Sequence, residues 1–150
     1  MVGRFRVAEA DDEALVLALM REFYAIEHLP YSEAVAARAL RELRDNPALG
    51  RVYLVHAGDA LAGYVVLTFG FSLEFRGRDA LVDELYVREP FRGRGLGTAC
   101  FGWLEQVCRD EGVHALHLEV DRTNERAKRL YHRVGYEDHD RHLMTKWLRD

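Results

Sequence analysis

The sequence predicts a mixed α/β fold, a central mixed sheet of about six to seven strands flanked by about four helices. Three observations carry this. Segments with strand-like alternation and segments with helical spacing follow one another in the order β-α-α-β-β-β-α-β-α-β-β. The strand-like run "ALVDELYV" passes through a glycine-rich loop straight into a helical pattern, and strands joined through a helix are usually parallel. The 150 residues are 49% hydrophobic, enough for one core without covalent staples, so a single domain over residues 1–150 is expected.

The elements follow in chain order. "GRFRVA" reads as a strand. In "DDEALVLALMREFYAIE", Asp11 is placed to cap a helix along which Leu15, Leu19, Phe23 and Ile26 recur at helical spacing. "LPY" breaks the pattern, and Ser32 can cap a second helix through Arg44 that packs through Val35, Ala39, Leu40 and Leu43. Pro47 and Gly50 end it. "RVYLVHA" and "LAGYVVLTFGFSLEF" flank Gly58 and Asp59 as a hairpin. After "ALVDELYV" and the loop, Phe101, Leu104, Val107 and Cys108 mark a helix ending near Gly112. "HALHLEV" is a strand, and Ala127, Leu130, Tyr131 and Val134 mark a short helix capped by Gly135. "YEDHDRHLMTKWL" reads as two closing strands around a polar turn.

Composition narrows the function classes. The formal net charge of -4 and pI near 6.0 argue against the broad basic surface that nucleic-acid binding needs, and favour a neutral or cationic substrate. The apolar runs fall far short of the ~20 residues that span a bilayer, and "MVGRFRVAEADDE" lacks a signal-peptide core. A soluble, cytoplasmic protein with no membrane partner is expected. Cys100 and Cys108 lie in one predicted helix as buried reduced thiols, and the seven histidines form no metal-ligand pattern, so no metal is assigned.

The stretch "YVREPFRGRGLGTACFGW" carries the chemistry. Gly93, Gly95 and Gly97 remove side chains where backbone N–H groups can point inward, while Arg92 and Arg94 add charge beside a helix N-terminus. That combination suits a phosphate. The spacing G-x-G-x-G is not the dinucleotide-binding G-x-G-x-x-G, and no lysine follows as a Walker loop requires, since Lys128 and Lys146 lie far downstream.

Arg92, Gly95 and Gly97, read as Arg-x-x-Gly-x-Gly after the strand "DELYV", resemble the signature of the GNAT superfamily of N-acetyltransferases, whose loop holds the pyrophosphate of acetyl-CoA. "LHLEVDRTNERAKRLYHRVGYE" is similar to the family's second block, with Asn124, Tyr131, Gly135 and Tyr136 in its characteristic places. The resemblance extends over nearly the whole chain. It implies acetyl-CoA as cosubstrate, with the loop of Arg92, Gly93, Arg94, Gly95, Leu96, Gly97 and Thr98 holding the pyrophosphate. The backbone of Leu85, Tyr86 and Val87 would bind the pantetheine arm, Asn124 would help fix it, and Tyr131 would be the general acid. Homodimers are common in the superfamily.

Acetyl transfer to an amine needs a free lone pair, a place for the developing oxyanion and a proton for the departing thiolate. An alkylammonium titrates near ~10.4, so a base is useful at neutral pH. Asp83, Glu84 and Glu119 are the candidates, each also readable as a solvated or ion-paired strand residue. By alternation Asp83 lies with Leu85 and Val87, and Glu84 with Tyr86, unless a bulge changes the parity. Relatives that acetylate protein N-termini use a base at the place of Glu119, and polyamine acetyltransferases use one at the place of Asp83. Tyr24, Glu27, Tyr31, Phe69, Phe71 and Glu74 suit the cradling of a small-molecule amine through charge and cation–π contacts, and are equally readable as core and surface residues. A peptide acceptor, or a non-catalytic acetyl-CoA-binding module, is the alternative.

Overall fold

The computed structural model describes residues 3–149, which fall into two compact units, one ending at Glu119 and the other beginning at Val120. The first holds β1 (Gly3–Val7), α1 (Glu13–Ile26), α2 (Glu33–Asp45), β2 (Gly50–Ala57), β3 (Ala60–Ser72), β4 (Gly77–Val87), α3 (Leu96–Asp110) and β5 (Ala115–Leu118). The second holds α4 (Glu125–Arg133). Single turns of 3-10 helix at Ala10–Asp12 and Glu89–Phe91 lead toward α1 and the glycine loop.

The strands lie in the order β1-β2-β3-β4-β5, and the mixed α/β class is as expected. The first four pair antiparallel, while α3 carries the chain across so that β4 and β5 run parallel. One face packs on α1 and α2 through Leu54, Tyr64, Val66 and Tyr86 against Val16, Leu19, Met20 and Ala36. The other lies under α3, where Trp103 stacks on Phe5 at 5.2 Å and meets Tyr53 edge-on at 4.5 Å between ring centroids.

Several expectations shift. Among the described residues the sheet has five strands, and residues 136–149 form neither strand nor helix. Strand pairing needs a partner for each backbone group, and among the described residues no ladder engages this segment, whose first half is mostly charged and whose Leu143, Met144, Trp147 and Leu148 stand exposed. The two closing strands expected in "YEDHDRHLMTKWL" are therefore absent among the described residues. Along α1 the buried positions are Val16, Leu17, Leu19 and Met20, whereas Leu15 and Ile26 are exposed. On α2 they are Ala36 and Ala37, with Leu40 and Leu43 packed against the cluster and Val35 outside. Ser32 caps α2 as expected, accepting from the Val35 N–H at 3.4 Å, and Gly58 opens the β2–β3 hairpin at φ +61°.

Asp12, rather than Asp11, fixes the start of α1. It is nearly buried, accepts from both Arg6 guanidinium nitrogens at 2.8 and 3.0 Å, and accepts from the Glu9 N–H at 2.8 Å. The Arg6 bond, reinforced by Glu9, holds its carboxyl below the ordinary 3.8. A carboxylate depressed by folding adds stability that is complete above the unfolded value and drains as pH falls through the folded one. Wild type is therefore expected to lose thermal stability below about pH 5 more steeply than Asp12→Asn, as melting curves across the acid range will show.

Candidate active site

The decisive feature of β4 is an extra residue. Glu84 pairs with Val66 and Val82 with Leu67, so Asp83 has no partner and the strand bulges there. Simple alternation fails at a bulge. Glu84 joins Tyr64, Val66 and Tyr86 on the face of α1, as expected, and the Asp83 charge acts on the Glu84 carboxyl and on the Tyr24 and Tyr64 hydroxyls. The bulge thus sets two adjacent carboxylates beside one another.

The same residue marks where the sheet opens. The parallel ladder to β5 ends at Val82 and Leu118, while β4 continues to Val87. Beyond Val82 that edge of β4 is not paired with β5, and Leu85, Tyr86 and Val87 lie along it. An extended chain of amide groups could add there as a further strand.

Glu84 is held from two sides. Tyr64 donates to Oε1 at 2.6 Å, and Tyr24, from the last turns of α1, donates to Oε2. Burial raises the Glu84 carboxyl, the two tyrosine bonds oppose that rise, and the Asp83 charge adds to it, with a net upward shift. Burial and Glu84 together drive both phenols well above their ordinary range. Asp83 keeps exposed surface, yet the protein packed around it desolvates its carboxyl enough to raise it as well. One rung further, Tyr86 donates to Glu22 at 3.0 Å, and Arg88 grips the same carboxylate at 3.1 and 2.7 Å. This ties α1 to the strand end.

Arg92 donates to the Val87 carbonyl at 2.7 Å, turning the chain into the loop. Gly93 and Gly95 have φ of +72° and +78°, a region L-residues rarely occupy, and Gly95 is the N-cap of the 15-residue α3. Gly97 falls in the first turn. A Cβ at Gly93, Gly95 or Gly97 would meet nothing within 4 Å, so no protein atom crowds the loop on its side-chain faces. Arg92, Arg94 and Thr98 are exposed there, and the cradle fits a pyrophosphate in charge and donor set.

The remaining candidates scatter. Glu119 lies just beyond β5, exposed. Tyr31 faces Tyr24 edge-on at 5.7 Å and donates to the Leu17 carbonyl at 3.2 Å, while Glu27 is exposed at the end of α1. Phe69 is on the α3 face, under the guanidinium groups of Arg51 and Arg78, both paired with Glu111; Phe71 beside it on β3 and Glu74 in the turn beyond are exposed. Phe69 and Phe71 are separated by the sheet from Tyr24 and Tyr31. In the second unit, Asn124 caps α4 by accepting from the Ala127 N–H at 3.1 Å, and the Tyr131 ring meets Tyr136 edge-on at 6.1 Å.

Tyr64, Glu22 and Arg88 were not anticipated. A tyrosine inside the apolar run "YVVL" was the available signal, because a buried phenol demands an acceptor. Cys100 and Cys108 are buried, and burial pushes their thiols up to about 12 and about 11. Among the described residues no cluster of three or more His, Cys, Asp or Glu could hold a metal ion, and no helix is long and apolar enough to cross a membrane.

Comparison with known proteins agrees with this geometry. Residues 17–136 match the acetyltransferase (GNAT) family. The chain is 27% identical over 146 residues to the thialysine N-epsilon-acetyltransferase of Bos taurus, covering 89% of this chain and 83% of that one. It is 26% identical over 137 residues to the aminoalkylphosphonate N-acetyltransferase of Salmonella typhimurium, covering 90% and 85%. Among solved structures, an integron cassette protein from the mobile metagenome of Cole Harbour Salt Marsh superposes with a TM-score of 0.85 at 36% identity, covering 97% of this chain and 91% of that one. With residues 17–136 of its 150 matched by that family and named N-acetyltransferases among its relatives, the chain belongs to the GNAT family and is an acetyl-CoA-dependent N-acetyltransferase.

Proposed function

We propose that the protein acetylates the primary amine of a small, cationic acceptor, of the diamine, polyamine or amino-acid-like kind, by direct attack in a ternary complex within a single cytoplasmic domain. The observation that carries this is the Asp83–Glu84 pair, set by the bulge beside the unpaired edge of β4. An anionic floor favours an alkylammonium, and carboxyls raised by desolvation are better matched to taking its proton than exposed ones. The thialysine and aminoalkylphosphonate acetyltransferases are named for small primary amines, which favours a small-molecule acceptor, and thialysine favours a cationic, amino-acid-like one.

Acetyl-CoA, when bound, supplies the thioester whose acetyl group is transferred. The Arg92–Thr98 loop would hold its pyrophosphate, and the backbone of Leu85–Val87 its arm, with one N–H polarising the carbonyl. Asn124 would help fix the arm. Tyr131 would return a proton to the leaving sulfur. Both thiols are buried and pushed up by burial, which supports attack by the amine itself over a cysteine acyl-enzyme.

The test is acetyl-CoA-dependent thiol release with thialysine, lysine, 1,4-diaminobutane, spermidine and short peptides. Turnover with small amines supports the proposal; turnover confined to peptides, or cofactor binding without release, overturns it. In the same assay Tyr131→Phe is expected to lower kcat about 100-fold while leaving acetyl-CoA affinity within twofold, and an unchanged kcat would remove Tyr131 as general acid.

A further inference from the structure

We propose that Tyr24 is a catalytic residue of the transfer, its hydroxyl taking the proton of the acceptor ammonium while its own proton passes to Glu84. The proposal rests on amine acetylation at this site.

Both oxygens of Glu84 already accept a phenolic proton, Oε1 from Tyr64 and Oε2 from Tyr24. An acceptor approaching this carboxylate meets a tyrosine first. The two tyrosines differ in access: Tyr64 is fully buried in the core, whereas Tyr24 is only half-buried, at the end of α1. Tyr24 is therefore the group through which a proton from outside can reach Glu84. Its oxygen keeps lone pairs while donating, so it can accept one proton as it gives up another.

The step balances. An N–H bond of the ammonium breaks and its electron pair stays on nitrogen as the attacking lone pair. The proton bonds to the Tyr24 oxygen, the original Tyr24 O–H bond breaks, and a new O–H bond forms on Glu84. Tyr24 is neutral before and after, and Glu84 later returns the proton to water by the same route. The Tyr24 hydroxyl is bonded to Glu84 and feels the charge of Asp83 on β4; Tyr31 beyond α1 packs edge-on against the Tyr24 ring, and Tyr64 of β3 holds the far oxygen of Glu84. Burial and the two acids disfavour a free phenolate there, which suits concerted transfer over a stepwise one. Glu84, raised by burial, is a better proton acceptor than an exposed carboxylate.

The experiment is steady-state thiol release across pH on the full chain, using whichever of thialysine, lysine, 1,4-diaminobutane and spermidine wild type acetylates fastest. Tyr24→Phe, Glu84→Gln, their double variant and Asp83→Asn are compared, with melting temperature and acetyl-CoA affinity measured on each. Tyr24→Phe is expected to lower kcat about 100-fold with KM and acetyl-CoA affinity nearly unchanged. Glu84→Gln should lose as much, and the double variant no more than either single, because the two residues form one chain. In Tyr24→Phe, kcat should keep rising about tenfold per pH unit toward the alkylammonium value, since only acceptor already neutral can react. A merely structural Tyr24 would not produce that slope. Tyr24→Phe within threefold of wild type, losses that multiply in the double variant, or the rising slope appearing only in Asp83→Asn would each overturn the proposal. No turnover by wild type with any of the four amines would instead end the acetylation reading beneath it.

Discussion

Replacing Gly95 by valine is expected to weaken acetyl-CoA binding about 100-fold, the loss of one or two charge-assisted hydrogen bonds at about 1.4 kcal/mol per tenfold. Two effects add. At φ +78° a β-branched residue is strained, so the chain at the N-cap of α3 must rotate and carry the first-turn N–H groups away from their common focus. The new side chain also projects into space that no protein atom occupies within 4 Å of the Cβ, the space argued above to receive a pyrophosphate. Calorimetric titration with acetyl-CoA measures the first consequence, and a melting curve of the free protein separates it from global destabilisation of about 1–3 kcal/mol. Gly102→Ala supplies the contrast: it lies mid-helix in α3 with open space around it and no left-handed φ, so it should raise helix stability and leave binding alone. Binding to Gly95→Val that matches wild type would remove this loop as the anion site.

The glycine loop was legible because its features are local: Gly93, Gly95 and Gly97, two arginines, a strand before and a helix after all fall within a few residues. Ser32 and the Gly58–Asp59 turn were legible for the same reason. The acid site was legible only as residue types. Whether Asp83 and Glu84 lie on one face or two depends on a bulge defined by pairing with Val66 and Leu67, which no short window of the chain contains. The tyrosines that hold Glu84 come from positions 60 and 20 residues away, so only the folded sheet brings them together. The helix faces shifted for a related reason. Leu15 and Ile26 keep the helical period of α1, but the stripe that meets the sheet runs through Val16, Leu19 and Met20, and periodicity gives a face without saying which neighbouring residues border it. Phe69 and Phe71 were grouped with Tyr24 by aromatic character, and strand alternation sends them to the opposite side.

Gly63→Ala is expected to be the most destabilising single change near the site, by about 3 kcal/mol, which for a chain of this size lowers Tm by about 10 °C. A Cβ there would stand 1.9 Å from the Tyr86 carbonyl oxygen and 3.1 Å from the Val87 Cα, and backbone cannot swing aside as a side chain can. Gly63 pairs with Val87, and next to it the Arg88 N–H donates to the Ala62 carbonyl at 2.8 Å. Relieving the clash must therefore open the β3–β4 ladder at its end, moving Tyr86 and Arg88 against Glu22 and shifting the Leu85–Val87 edge. Gly70→Ala on the same strand is the useful comparison, because its Cβ would meet a side-chain oxygen, Asp79 Oδ1, at 2.9 Å, which can rotate away. The two variants carry the same added methyl, so a larger loss of Tm and of acetyl-CoA affinity in Gly63→Ala than in Gly70→Ala isolates the close approach of β3 to the edge of β4 proposed to take the cofactor arm. Equal melting of the two would mean that the strands separate at Gly63 as cheaply as Asp79 turns aside at Gly70, and the edge of β4 would then owe its position to α1 through Glu22 rather than to the sheet.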